Sequence, residues 1–242
     1  MIVAGVILLA LAVGAFFVAR SQRKRLGALE STDTVACNAL VEDQMCEVVG
    51  RAAAYEGKAL KGPASGRECV WFRHQVTQHW EEWDRDSDGD MRRRNRSKVI
   101  EDKTSEGEVF VLRDAAGEVF VNPQGAKVDK PVKSFRERRD VNSFSGGGLA
   151  AVLSAIDRRQ DEEIEVEEWI LPVEEEIYVR GRPYRAQIGL TMVDPKDDEF
   201  LISTRSEEEL SGAAKRWALV ATIAGAVAAV AGVALIIAGA LA

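Results

Sequence analysis

Apolar and charged positions separate along this chain on a scale much longer than any helix or strand period. Residues 1–19 carry no charge and neither do residues 217–242, so all 32 Lys+Arg and all 39 Asp+Glu fall within residues 20–216. A helix rises about 1.5 Å per residue, and bilayer hydrocarbon needs roughly 20 apolar residues. Residues 2–19 then reach roughly 27 Å as helix, and residues 217–242 are long enough to cross with tilt. Each predicts a transmembrane α-helix.

Between them the pattern changes to period two. Residues 69–83 place Val70, Phe72, His74, Val76, Gln78 and Trp80 on one face, with Trp71, Arg73, Gln75, Thr77 and His79 on the other. That is a long, half-buried strand. Gly107-Glu108-Val109-Phe110-Val111 returns ten residues later as Gly117-Glu118-Val119-Phe120-Val121. The two runs predict a hairpin around Arg113-Asp114-Ala115-Ala116, with Gly117 supplying turn freedom. Further strands are expected at 47–53, 165–171, 177–182, 184–193 and 200–204. Residues 26–44 read as a weakly helical approach. Residues 149–159 read as a short helix with Leu149, Val152, Leu153 and Ile156 on one side. Ser206 ahead of residues 207–209 reads as a capped helix start. Val48-Val49-Gly50-Arg51 is weakly echoed by Val179-Arg180-Gly181-Arg182.

The fold class expected is mainly β: a β-rich α+β soluble domain flanked by two transmembrane α-helices. Residues 1–19 and 217–242 are the spans, 20–43 a basic juxtamembrane segment, and 44–212 the β-rich domain. A break near 141–148 would divide that domain into two small β subdomains.

Charge decides how the ends are read. A secretory signal has its basic residues before the apolar core, whereas Arg20, Arg23, Lys24 and Arg25 follow it, which favours a retained anchor. Lys215 and Arg216 precede the second span. With both basic clusters beside the central domain, the positive-inside rule places that domain in the cytoplasm of an integral cell-membrane protein. Cys37, Cys46 and Cys69, an odd count without paired spacing, fit a reducing compartment. In the second span Gly225, Gly232 and Gly239 recur every seven residues, and Ala221 with Gly225 and Ala228 with Gly232 are small-xxx-small pairs. The first span offers Ala10 and Gly14. Such faces let helices approach closely, within one chain or between copies; Ala-rich helices also carry such pairs by chance.

Candidate chemistry is sparse. Asp84-Arg85-Asp86-Ser87-Asp88-Gly89 opens like a calcium loop, with Asp84, Asp86 and Asp88 as ligands. Its twelfth position is Asn95 rather than Glu, and Arg92, Arg93, Arg94 and Arg96 surround it, so a polar hairpin tip fits better. Cys69, His74 and His79 lie too far apart along one strand to chelate a metal, so a buried structural cysteine and half-exposed histidines are expected. Ser145-Gly146-Gly147-Gly148 could cradle an anion, but no Lys-Ser/Thr follows, and a connection is the simpler reading. Residues 161–168 and 174–176 form an acidic tract alternating with Ile164, Val166 and Ile177. That is a solvated strand face, or a docking surface for a basic partner. The arginine clusters are dispersed, and the net charge of −7 argues against nucleic acid. No catalytic constellation and no cofactor are indicated. The expected partners are the bilayer, whose anionic headgroups the basic flanks could touch, and a protein or another copy of this chain.

Several short motifs occur in a characteristic order. They are Ser65-Gly66-Arg67-Glu68-Cys69-Val70-Trp71-Phe72; Leu112-Arg113-Asp114-Ala115-Ala116-Gly117 with Val119, Val121, Pro123 and Gly125-Ala126; Glu168-Trp169-Ile170-Leu171-Pro172; Ile177-Tyr178-Val179-Arg180-Gly181; and Ile202-Ser203-Thr204-Arg205-Ser206-Glu207-Glu208-Glu209-Leu210. Over about residues 30–242 this set resembles the GIDE-type, "beside a membrane" domain of the mitochondrial ubiquitin ligase Mulan and its plant and prokaryotic relatives. The resemblance implies a RING finger after the second span in eukaryotic members, where it recruits the ubiquitin-charged conjugating enzyme. It also implies an intermembrane-space domain in the mitochondrial member, whereas the basic flanks here favour the cytoplasm. A RING needs about eight Cys/His ligands, and this chain has three Cys and two His. The leading expectation is a non-catalytic, RING-less scaffold for protein interaction or self-association, its chain stopping at Ala242 in or just past the membrane. The alternatives are a ubiquitin-ligase-type transferase whose RING-like part comes from a separate chain, and a calcium-responsive sensor on the Asp84 loop.

Overall fold

The computed structural model describes residues 2–30, 34–85, 90–140 and 163–241. They form two compact units, Met1–Thr34 with Arg205–Ala242, and Val35–Thr204.

The first unit is a pair of helices, α1 (Ile2–Glu30) and α2 (Glu207–Leu241). By length and composition, Ile2–Lys24 and Glu208–Ala240 can each cross a membrane, where a helix is one of the few ways to satisfy every backbone group. Ser206 caps α2 by accepting a hydrogen bond from the Glu209 N–H at 3.3 Å. The helices run antiparallel, Gly5 lying beside Gly232 and Ala15 beside Gly225. The less exposed positions include Gly5, Leu8, Ala12, Ala15 and Ala19 on α1, and Ala218, Ala221, Gly225, Ala228, Gly232, Leu235 and Gly239 on α2. Both series step by three and four residues, the spacing of a left-handed helix seam. Small side chains bring the backbones together. A side chain at Gly232 would come within 2.9 Å of the Gly5 carbonyl oxygen, and one at Gly225 within 3.2 Å of the Ala15 Cβ. The expected Ala10 and Gly14 pair is elsewhere: Ala10 is exposed and nothing lies within 4 Å of Gly14. The seam's own spacing turns those two outward.

The second unit contains twelve strands among its described residues: β1 (Cys46–Ala53), β2 (Leu60–Lys61), β3 (Glu68–Arg85), β4 (Met91–Thr104), β5 (Phe110–Arg113), β6 (Glu118–Val121), β7 (Lys127–Asp129), β8 (Val132–Asp140), β9 (Glu163–Pro172), β10 (Glu176–Ala186), β11 (Gly189–Val193) and β12 (Leu201–Ser203). The fold is therefore mainly β, with two apolar helices long enough to span a membrane. One sheet follows the order β1-β5-β6-β11-β10 and closes because β1 also pairs with β10; β12 and β7 extend it from β10. Numbered along the chain, the five closed strands run 1-2-3-5-4-1, with β6 and β11 the parallel pair. This is the connectivity of an OB-type Greek-key barrel. The second sheet has the order β2-β3-β9-β8, with β4 also on β3. It is assembled from two excursions out of the barrel, β2–β4 between β1 and β5, and β8–β9 between β6 and β10.

Val48, Ala52, Phe110, Leu112, Val119, Val121, Val179 and Met192 share the main core, and Val70, Trp71 and Leu171 join it from β3 and β9. Fully burying side chains of this size contributes about 1.5–3 kcal/mol each. Val76, Ile164 and Val166 form a smaller core in the second sheet.

Several expectations change. Among the described residues of 26–44, the helix runs to Glu30 and a 3₁₀ turn lies at Cys37–Ala39. β4 and β8 run through stretches read only as charged. β10 continues through Pro183 to Ala186, where the chain turns into Gly189 at φ 127°. Gly117 needs no left-handed backbone: the Asp114 carboxylate makes the turn, accepting the Ala116 and Gly117 N–H groups at 2.7 and 2.8 Å. The helix expected at 149–159, the Ser145–Gly148 glycine run and the break near 141–148 lie outside the described residues. Neither sheet is a contiguous half of the chain. The Val48/Val179 echo falls on paired strands, with Val48 opposite Val179 and Cys46 opposite Gly181. Its glycines mark close approaches: a side chain at Gly50 would meet the Arg113 carbonyl, and one at Gly181 would come within 2.8 Å of the Phe200 ring.

The seam generates a test. The pair Ala15→Cys and Gly225→Cys should crosslink efficiently on oxidation in membranes. Adding Gly232→Leu should lower that yield several-fold, since overpacking costs about 1–3 kcal/mol, while Gly14→Leu should leave it unchanged.

Candidate functional site

The most heavily engaged polar group in the described β-unit is the Glu168 carboxylate on β9, with no exposed surface. The Gly62–Arg67 loop between β2 and β3 wraps around it. That loop folds back on itself, the Gly66 N–H donating to the Gly62 carbonyl at 2.8 Å and the Gly62 N–H to the Arg67 carbonyl at 2.9 Å. Gly66 sits at φ 69°, and any side chain on Gly62 would collide with the carboxylate. The Ser65 hydroxyl donates to Oε1 at 2.5 Å and the Ser134 hydroxyl at 2.6 Å, while the Ala64 and Ser65 N–H groups donate to Oε2 at 2.6 and 3.4 Å. Burial pushes the Glu168 pKa up, but the hydrogen bonds from Ser134, Ser65 and the Ala64 N–H outweigh it and hold it below its ordinary value. The Ser65-Gly66-Arg67-Glu68-Cys69 motif is thus a clasp for a carboxylate about a hundred residues away.

A second buried carboxylate, Glu165, meets His79 Nε2 at 3.0 Å and accepts from Arg136 Nε at 2.7 Å. Burial raises its pKa, and Arg136 first, then His79, bring it below the ordinary carboxylate value. In the barrel, Arg180 is buried with Glu47 at 3.5 Å and grips Asp198 through two bonds of 2.8 and 3.2 Å. These groups correct the solvated-face reading for part of the acidic tract, while Glu163, Glu174 and Glu176 are exposed as that reading has it. Glu165 and Glu168 are buried, and Glu167 binds Lys133 at 2.6 Å. β9 lies between β3 and β8, so its carboxylates meet partners from both neighbours and are not free to dock a basic partner; Asp161 and Glu162 lie outside the described residues. The sequence reading missed Ser65, Ser134, Glu47, Arg180 and Asp198 as polar anchors. A glutamate beside Trp169-Ile170-Leu171 was the available signal.

The candidate metal ligands do not converge. Cys69 and His74 are buried, against the half-exposed position expected for His74, while His79 is partly exposed beside Glu165. Among the described residues no three His, Cys, Asp or Glu side chains are placed to hold a metal ion. Asp84 faces Arg94 and Arg96 at 3.7 Å, which commits its carboxylate to arginine; Asp86 and Asp88 lie outside the described residues.

The thiols are equally committed. Burial is the main cause that pushes Cys37 and Cys46 up to about 12 and Cys69 to about 11. All three are buried and free of disulfides. At neutral pH they are protonated and enclosed, the opposite of what a nucleophilic cysteine needs.

An arm is exposed as well. Among the described residues β9 pairs with β3 as far as His79, while β4 follows β3 out to the Arg85–Met91 pair. Glu81 with Arg93 and Glu82 with Arg96 staple the ribbon. Trp83 and Met91 stand 62% and 56% exposed at its far end. On the helices, Arg20, Arg23 and Lys24 of α1 and Lys215 and Arg216 of α2 are exposed. The Arg25 side chain is outside the described set.

Replacing Glu168 with Ala should destabilise the β-unit by about 2–4 kcal/mol, because four donors lose a charged acceptor. The pH dependence has a definite sign. A depressed carboxylate adds stability that is complete above its ordinary value of 4.5 and is lost as pH falls through the lower folded value. Urea midpoints measured from pH 7 to 3 should therefore fall less steeply in Glu168→Gln than in the parent chain.

The GIDE family profile, described as E3 Ubiquitin ligase, matches residues 78–237, from the middle of β3 into α2. Comparison with curated proteins and with solved structures returns no match. The matched stretch is about two thirds of the 242 residues and takes in the clasped carboxylate, most of the barrel and most of the second apolar helix. The chain belongs to the GIDE family.

Proposed function

We propose that this protein is a membrane-anchored interaction module of the GIDE family, held by α1 and α2 in the cell membrane, with its β-unit on the cytoplasmic side. The observation that carries this reading is the β3–β4 arm. Among the described residues it extends beyond the β3–β9 pairing, its outer strand pairs only with β3, and it carries exposed Trp83 and Met91. Aromatic and methionine side chains among arginines are the composition of interface cores. The basic flanks of both helices support the cytoplasmic side through the positive-inside rule. The module recruits a protein or a second copy and performs no ubiquitin transfer by itself. Three enclosed, protonated thiols cannot carry a thioester, and three Cys with two His cannot build a RING.

A second reading follows from the family's description: the module takes part in ubiquitin ligation when a separate chain supplies the RING-like part. Purified chain mixed with activating enzyme, conjugating enzyme and ubiquitin should yield no conjugates. A ubiquitin ladder formed by this chain alone would overturn the first reading.

The arm is tested in cells with a membrane-impermeant amine crosslinker. A crosslinked species should form only after permeabilisation and should be lost in Trp83→Ser/Met91→Ser, whose stability should change by no more than about 0.5 kcal/mol. Crosslinking in intact cells would place the β-unit outside, and an unaffected double variant would remove the arm from the interface.

A further inference from the structure

Where α1 and α2 approach their basic ends, the seam opens into a groove of about 1170 Å³. Phe16 and Phe17 of α1, their rings packed edge to face at 5.9 Å, wall one side, and Gly225, Ala226 and Ala229 of α2 form the other. The apolar part of the groove runs alongside Leu9 to Ala19 of α1, roughly 15 Å of helix, about the depth of one leaflet of a roughly 30 Å hydrocarbon core. Its lining is apolar except at one end, where Arg20, Arg23 and Lys24 stand together. No carboxylate lines it among the described residues. The exposed Arg23 side chain reaches across to α2, donating to the Thr222 hydroxyl at 3.3 Å, and Thr222 in turn donates to the Ala218 carbonyl at 2.6 Å.

An apolar slot of leaflet depth that ends in three cations is complementary to one kind of molecule. We infer that this groove binds an anionic phospholipid, its acyl chain between Phe16/Phe17 and Ala226/Ala229 and its phosphate on Arg20, Arg23 and Lys24. Basic pockets between membrane helices recognise acidic headgroups in this way. Arg23 supplies the geometry. Its guanidinium, oriented by Thr222, keeps its remaining donors for phosphate oxygens, which it can engage in pairs. A zwitterionic lipid offers the same chains but cancels the phosphate charge within its own headgroup, so the three cations discriminate against it. The inference rests on α1 and α2 spanning a bilayer, as proposed above.

The test uses the full chain reconstituted in vesicles of equal phosphatidylglycerol and phosphatidylcholine, extracted gently and examined by native mass spectrometry for retained lipid. Phosphatidylglycerol should be retained in about tenfold excess. Arg20→Gln/Arg23→Gln/Lys24→Gln should bring the ratio to parity. Ala226→Trp, which fills the slot and leaves the charges in place, should abolish lipid retention. Parity in the parent chain overturns the site. So does an unchanged phosphatidylglycerol excess in Ala226→Trp, which would reduce the effect to general surface charge. Alkaline carbonate extraction of the same vesicles separates the two levels: release of the chain into the supernatant would defeat the spanning reading itself, whereas a retained chain without lipid preference defeats only the groove.

Discussion

Everything in the β-unit depends on one strand pairing. β1 and β10 join residues some 130 positions apart, Cys46 opposite Gly181, and by joining them close the barrel. Closure removes edges that would otherwise invite foreign strands. It also dictates what happens to the intervening chain. Two long excursions must leave the barrel and return, and neither can bury its own apolar face alone. They solve the problem jointly, β3 pairing with β9 over most of its length, which produces the second sheet. A fold with so few local contacts closes its loops before contacts reward it, and slow folding is the expected cost.

The joint between the excursions is polar where a simple core would be oily. Glu168 from one excursion is held by Ser65 and Ala64 from the other and by Ser134 from its own. A buried carboxylate is tolerable only when every lone pair finds a donor. In return it permits one register, because a slip of one residue would carry the charge to the wrong face. Glu165, with Arg136 and His79, repeats the arrangement, while Arg180 joins Glu47 as an ion pair at 3.5 Å and hydrogen-bonds Asp198. Among the described residues Glu47, Glu165 and Glu168 are internal fittings, although most of the acidic residues that give the chain its net −7 lie at the surface.

The extent to which sequence revealed this follows from what each element faces. β1, β3, β5, β6 and β9 were legible because one side of each meets a core and period two survives. β4 is exposed at nearly every position and β8 at many, their charges paired across strands, so no alternation marked them. β9 was legible as a strand but misread as to surroundings: Trp169-Ile170-Leu171 beside Glu168 hints at burial, but the two hydroxyls and two amides that hold it come from the β2–β3 loop and from β8. The α2 seam could be read from Gly225 and Gly232 because glycine is rare enough to carry information. On α1, alanines occur on every face, so spacing alone does not separate Ala10 and Gly14 from the seam position Gly5. The turn at Asp114 was placed correctly, with its cause assigned to the wrong residue.

Three thiols sealed inside the β-unit give the molecule a built-in clock. Cys37, Cys46 and Cys69 come from different stretches, the first two in the barrel core and the third where β3 leaves it. None can react while the fold is shut, so the rate at which each is alkylated in the native protein counts the openings of its own region. Comparing those rates would show whether the barrel and the second sheet breathe together or apart, without adding a probe to the chain.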